Sequence, residues 1–276
     1  MTPFADRLLP ARPDLAAEHL RGQVEAARFV AGELRRVETT LLDLMPVPDA
    51  GAGRTTQLLH GEGFTVYETR DGLAWGQSAL DGYVGYVSAA GLGPSRGAGQ
   101  RITAIWSQIY AGPMARARVE GELPFLGEVV VAGGDAAYAE LVGGGFVPRP
   151  HFLPVGGDFV SQAERFVGVP YLWGGRSARG LDCSALVQLA LLACGRAAPR
   201  DSDMQAAMLG DELPVDAVPR RGDLVFWRGH VGIMRDEFTL LHANGYHMAV
   251  AMEPLDEAIA RIEASGGGAV TVRRRP

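Results

Sequence analysis

Leu181-Asp182-Cys183-Ser184-Ala185-Leu186 leads into Ala185 to Ala193, a run that is apolar on every side. A helix of that character belongs at the centre of a domain, and Gly195 suits its C-terminal cap. Cys183 therefore stands at the start of a buried helix. There, unpaired backbone N–H groups and the positive end of the helix dipole stabilise a thiolate, the attacking species of cysteine catalysis. A buried structural cysteine fits the same apolar setting. Cys194 lies eleven residues further along the helix, about 16 Å at the standard rise, which is too far for a disulfide. It occupies the negative end and reads as structural.

A nucleophilic cysteine needs a base within hydrogen-bond reach and a group that orients the base. Of the six histidines, His230 opens the strand-like run His230-Val231-Gly232-Ile233, and His242 follows in Leu241-His242-Ala243-Asn244. Adjacent antiparallel strands place two such rings on one face, with His230 as base and His242 orienting it. His19, His60, His151 and His247 show no partner pattern, and no Cys/His cluster has metal-ligand spacing. No cofactor and no metal are expected.

Around this centre, Gln162 to Val167 reads as a short helix. Ser202-Asp203-Met204-Gln205 has the form of a capping box that starts another. Leu224 to Trp227, His230 to Met234 and Phe238 to Leu241 read as strands. The expected class is α+β.

Upstream the texture differs. Gly and Pro punctuate short β runs such as Phe64-Thr65-Val66-Tyr67 and Tyr83-Val84-Gly85-Tyr86-Val87. Gly61-Glu62 recurs as Gly121-Glu122, and Gly82-Tyr83-Val84 has a counterpart in Gly145-Phe146-Val147, so two small β-barrels in tandem are expected. The division is a lead-in segment over 1–45, barrels over 46–97 and 98–152, and a catalytic domain over 153–276, with Pro148 to Gly157 as linker.

Composition limits the function classes. A net charge of -6 argues against a nucleic-acid partner. All 26 basic residues are arginine, which excludes Schiff-base chemistry and a lysine base. The first residues lack the pattern of a secretory signal, and no apolar run is long enough to span a bilayer. The expected setting is the cytoplasm, with no membrane partner.

Five motifs in order, Tyr171-Leu172-Trp173-Gly174-Gly175, Asp182-Cys183-Ser184, Gly222-Asp223-Leu224-Val225-Phe226, His230-Val231-Gly232-Ile233 and His242-Ala243, resemble the NlpC/p60 family of papain-like cell-wall peptidases. The resemblance covers about residues 158–276, and each barrel resembles a bacterial SH3-like domain, the second in degenerate form. It implies Cys183 as nucleophile, His230 as base, His242 as orienting residue and Tyr171 beside the oxyanion. Ala185 stands where the family often has Gly, and Arg176-Ser177-Ala178-Arg179 is a loop particular to this chain.

Members with N-terminal SH3-like domains resemble enzymes that split the bond between D-glutamate and meso-diaminopimelate. The implied substrate is the murein stem peptide L-Ala-γ-D-Glu-meso-diaminopimelate, in peptidoglycan recycling. Glu62, Tyr83, Asp182 and Ser184 are the implied substrate-binding residues, with Glu62 and Asp182 holding the free N-terminal amine and Tyr83 a hydrogen-bond partner. A papain-like amidase or acyltransferase, or an inactive binder of wall fragments, are the alternatives.

Overall fold

The computed structural model describes residues 4–49, 51–95, 97, 99–154, 156–214 and 217–276. The chain forms two compact units, Met1–Leu153 and Pro154–Pro276. Among the described residues, no helix is long and apolar enough to cross a membrane.

In the first unit, β1 (Glu33–Val37), β2 (Leu41–Leu44), β3 (Thr56–Leu59), β4 (Gly63–Arg70), β5 (Leu73–Ser78), β6 (Val84–Ser88) and β7 (Leu92–Pro94) follow one another. Their five-stranded antiparallel sheet has the order β6-β5-β4-β1-β7, while β2 and β3 pair separately. The sheet therefore takes β1 from residues expected to be only a lead-in. That strand was hard to see because its burial pattern, exposed at Glu33 and Leu34 and buried only at Val37, gives no alternation.

A second antiparallel sheet combines β8 (Trp106–Tyr110), β9 (Val119–Pro124), β10 (Val131–Gly134), β11 (Tyr138–Leu141) and β12 (Phe146–Pro148) in the order β9-β8-β12-β11-β10. Ile102, Leu123, Val129, Leu141 and Val147 form its core. The expected repeat holds at one place only. Gly82 and Gly145 both adopt positive φ just ahead of a strand, β6 and β12. By contrast Gly61 sits in a turn at φ +83°, whereas Gly121 lies inside β9.

The second unit holds α1 (Phe159–Glu164), α2 (Cys183–Ala193), α3 (Ser202–Met208) and α4 (Leu255–Ala264). Its six strands are β13 (Asp211–Glu212), β14 (Leu224–Trp227), β15 (His230–Met234), β16 (Thr239–Asn244), β17 (Ala249–Pro254) and β18 (Val272–Arg275). They form one antiparallel sheet, ordered β13-β18-β14-β15-β16-β17. The pleat gives this sheet two apolar faces. Val225, Trp227, Met234 and Leu240 pack with Leu255 and Ala258 of α4.

Every residue of α2 from Cys183 to Leu191 is buried, as its all-round apolar sequence requires. Each fully buried leucine there contributes roughly 1.5–3 kcal/mol. Gly195, at φ +72°, turns the chain out of α2.

Candidate active site

Asp182 fixes the start of α2. It is the N-cap, and its Oδ1 accepts from the Ala185 backbone N–H at 2.8 Å. The same carboxylate accepts from the Gly174 N–H at 3.0 Å, the Ser184 hydroxyl at 3.2 Å, and both Arg200 terminal nitrogens at 2.9 and 2.7 Å. Five donors saturate the roughly four lone-pair sites of a carboxylate. Asp182 therefore anchors the first turn of α2. Ser184 is tied into the same network, since its Oγ also accepts from Arg200 at 2.9 Å. Both residues thus flank Cys183 within one hydrogen-bonded network.

Arg200 was not singled out in the sequence, because nothing in Pro199-Arg200-Asp201 marks an arginine for the interior. Its side chain is 1% exposed. Gln205 is a second hidden support. Ser202 does not cap α3; Asp201 is its N-cap, with no side-chain capping bond. Gln205 turns inward and donates to the Ser184 carbonyl at 2.9 Å and to the Pro199 carbonyl at 2.9 Å, which links α3 to the first turn of α2.

The loop at Arg176 is a tight hairpin in which Arg176–Ser177 pairs with Gly180–Leu181. A Cβ on Gly175 would lie 2.4 Å from the Gly180 carbonyl oxygen, so only glycine lets the chain pass there.

Strands β15 and β16 pair at Ile233 with Leu241 and at Met234 with Leu240. Toward His230 that pairing ends, and the Val231 backbone N–H is free to meet the Cys183 thiol, which it stabilises together with the Ser184 N–H. Cys183 thus lies against the residue that follows His230. Beyond the paired stretch, His230 Nε2 and His242 Nδ1 are 2.8 Å apart. His242 Nε2 is 2.6 Å from Glu253 Oε1 on β17, and Arg261 of α4 donates to the same oxygen. Glu253 lies two residues beyond Ala251, the partner of His242 in register, within diagonal reach on one face. It was missed because that register is fixed only by strand pairing.

Burial, then the Asp182 charge, push the Cys183 thiol up to about 12, against the smaller help of the two backbone N–H groups. Burial, then the neighbouring His242 and Arg261, lower His230 to about 3. Burial thus favours the neutral thiol and the neutral imidazole, against the thiolate expected from the helix terminus alone. Burial, then the Cys183 and Asp182 charges, raise the half-buried Tyr171 phenol, which stays a hydrogen-bond donor beside the nucleophile. A cavity of about 390 Å³ lined by Trp227, Arg228, His230, His242, Asn244 and Tyr246 adjoins the two rings.

Residues 168–264 match the family model described as NlpC/P60 family, and residues 44–92 match the bacterial dipeptidyl-peptidase Sh3 domain. The chain carries an NlpC/P60 domain. Among similar proteins, dipeptidyl-peptidase 6 of Lysinibacillus sphaericus is 34% identical over 100 residues, 36% of each chain. The gamma-D-glutamyl-L-lysine dipeptidyl-peptidase of Bacillus subtilis is 34% identical over 110 residues, 37% of this chain and 36% of that one. The match thus spans about a third of the length of these relatives. A crystal structure of an NlpC/P60 family protein from Bacillus cereus has the same fold, with TM-score 0.74 at 18% identity, over 88% of this chain and 99% of that one. The NlpC/P60 match covers the nucleophile helix and both histidines.

Glu62 and Tyr83 belong to the first unit. A Glu62 carboxylate oxygen accepts from the Leu59 N–H at 2.9 Å in its own turn, and Tyr83 is buried. His242, His247 and Glu253 bring one ligand atom each within 4.8 Å of one another, although no such cluster was legible in the spacing. A divalent ion there would displace the proton between His242 and Glu253 and would face the Arg261 guanidinium.

The NlpC/P60 domain should lose stability in mild acid. His230 and His242 are both held below their ordinary value, first by burial. Below pH 6.5 the unfolded chain binds protons that the folded chain refuses. The stability is therefore complete above pH 6.5 and lost as pH falls toward about 3 for His230. The slope is about 1.4 kcal/mol per pH unit for each histidine while only the unfolded state is protonated. Urea midpoints should fall between pH 6.5 and 5, before carboxylates protonate, and His230→Gln should flatten the profile. A midpoint constant from pH 7.5 to 5 contradicts the burial of the pair.

Proposed function

We propose that this protein is a cysteine peptidase that hydrolyses the γ-D-glutamyl–diamino acid bond of cell-wall stem peptides. The observation that carries the reading is the convergence of Cys183, through the Val231 N–H, on the His230–His242 pair inside an NlpC/P60 domain. The names of the relatives, a dipeptidyl-peptidase and a gamma-D-glutamyl-L-lysine dipeptidyl-peptidase, support the bond class.

The thiol proton passes to His230 as sulfur attacks the γ-carbonyl carbon. The oxyanion forms beside the Tyr171 phenol. Collapse of the tetrahedral intermediate expels the diamino acid, whose amine takes the proton from His230. Water, deprotonated by His230, then cleaves the thioester and regenerates the thiol. Because burial disfavours each ion alone, thiolate and imidazolium form only together.

The substrate proposed is L-Ala-γ-D-Glu-meso-diaminopimelate with a free amine, a product of wall turnover. Incubation with this peptide should release L-Ala-D-Glu and meso-diaminopimelate, read by mass, and its N-acetylated form should be cut at least tenfold more slowly. Equal cleavage of both peptides removes the amine requirement. Failure to cut either, with release of ammonia or transfer to an acyl acceptor instead, favours an amidase or acyltransferase.

A further inference from the structure

We propose that Glu253 is a positioning residue that sets the tautomer of His230 through His242, so that a three-member relay, with Arg261 behind it, prepares the base. The inference rests on the reading of His230 as the base and adds what selects its reactive nitrogen.

Glu253 is flanked by Arg261 and His242. Burial opposes its ionisation, but the His242 hydrogen bond and the Arg261 charge outweigh burial and hold it below the usual carboxylate range. An ionised carboxylate only accepts, so the bond at 2.6 Å places a proton on His242 Nε2. Neutral imidazole carries one N–H, which makes His242 Nδ1 a lone-pair acceptor. The 2.8 Å contact then requires the N–H to be on His230 Nε2. His230 Nδ1 is left as the lone pair, the only ring nitrogen able to take the Cys183 proton.

Without Glu253, His242 Nε2 loses this hydrogen-bond acceptor, and the preference for Nε2–H over Nδ1–H goes with it. In the second form His242 donates to His230 Nε2, the proton of His230 moves to Nδ1, and that nitrogen can no longer act as base. The sequence hid this device, because Glu253 in Met252-Glu253-Pro254 looks like any acidic residue before a helix. Arg261 reaches it from α4, its guanidinium stacked 4.3 Å from the Tyr246 ring centroid.

The test combines ¹⁵N-histidine NMR with steady-state kinetics on L-Ala-γ-D-Glu-meso-diaminopimelate. In the wild type, His230 should show a protonated Nε2 and an unprotonated Nδ1. Glu253→Leu should shift His230 toward Nδ1–H and lower kcat by about 10²-fold or more, the scale of general-base catalysis, with KM within threefold. Glu253→Gln keeps an amide oxygen facing His242 and Arg261, so it should retain the wild-type tautomer and stay within about tenfold of wild-type kcat, the scale on which an acceptor is kept and a charge lost. If Glu253→Leu fails to fold, the double variant Glu253→Leu/Arg261→Met removes both partners of the ion pair and gives the same readout. A wild-type tautomer in Glu253→Leu or in the double variant overturns the relay, whatever the rate. A tautomer shift without loss of kcat overturns it too. If the wild type cuts no stem peptide while the tautomers respond as stated, the peptidase reading falls and the relay stands.

Discussion

Cys183→Ala lowers hydrolysis of the stem peptide by a factor on the order of 10⁶, the scale on which a covalent nucleophile is lost, and leaves the fold intact. The sulfur is the only group removed, and alanine is at home in the first turn of a helix. Asp182, Gly174, Ser184 and Arg200 keep every hydrogen bond described above, since all of them use Asp182 and Ser184 atoms or main-chain groups. The unfolding midpoint should therefore move by less than about 1 kcal/mol in ΔG.

Cys194→Ser should leave the rate nearly unchanged. Cys194 is exposed and Cys183 is buried, so iodoacetamide should modify Cys194 first without loss of activity, and activity should fall only as Cys183 is alkylated. Inactivation that tracks modification of Cys194, or turnover by Cys183→Ala, would remove Cys183 from the mechanism.

Arg200→Met should be the most destabilising single change in the NlpC/P60 domain. The Arg200 and Asp182 side chains are 1% and 10% exposed. Removing one partner of such a pair strands a buried charge and costs about 3–5 kcal/mol. For a domain of this size that corresponds to a loss of about 10 °C or more in Tm. Activity should fall as well, because Asp182 holds the turn from which Cys183 projects.

The double variant Asp182→Asn/Arg200→Met tests the cause. Asparagine still caps α2, and no charge remains unpaired, so the double variant should be more stable than Arg200→Met alone. Additive losses in the two single variants would show that the ion pair does not couple the residues.

The local elements needed no tertiary information. A run apolar on all sides could only be the buried α2, and the strand-like runs at Leu224 and His230 begin and end where the chain forms β14 and β15. The place of Cys183 followed from the same logic, since the apolar run begins just after it and α2 starts at Cys183. The pairing of His230 with His242 was legible because two strands joined by a short turn have few ways to meet.

What the sequence left open is what depends on distant groups. The capping box at Ser202 failed because Gln205 gains more by holding two buried carbonyls than by reaching back to its own helix start. β1 escaped notice because its residues become a strand only through pairing with β4 and β7. The ionisation of Cys183 was expected from the helix terminus, yet burial by the whole domain outweighs two backbone N–H groups.

Asp182 accepts from Arg200, eighteen residues away, a pairing that no local pattern shows. Sequence by itself determined the local helix and strand setting of the candidate residues, since these are properties of neighbouring residues. Only the tertiary structure decided their burial and their hydrogen-bond partners, because desolvation and hydrogen bonding are set by residues brought together from separate elements.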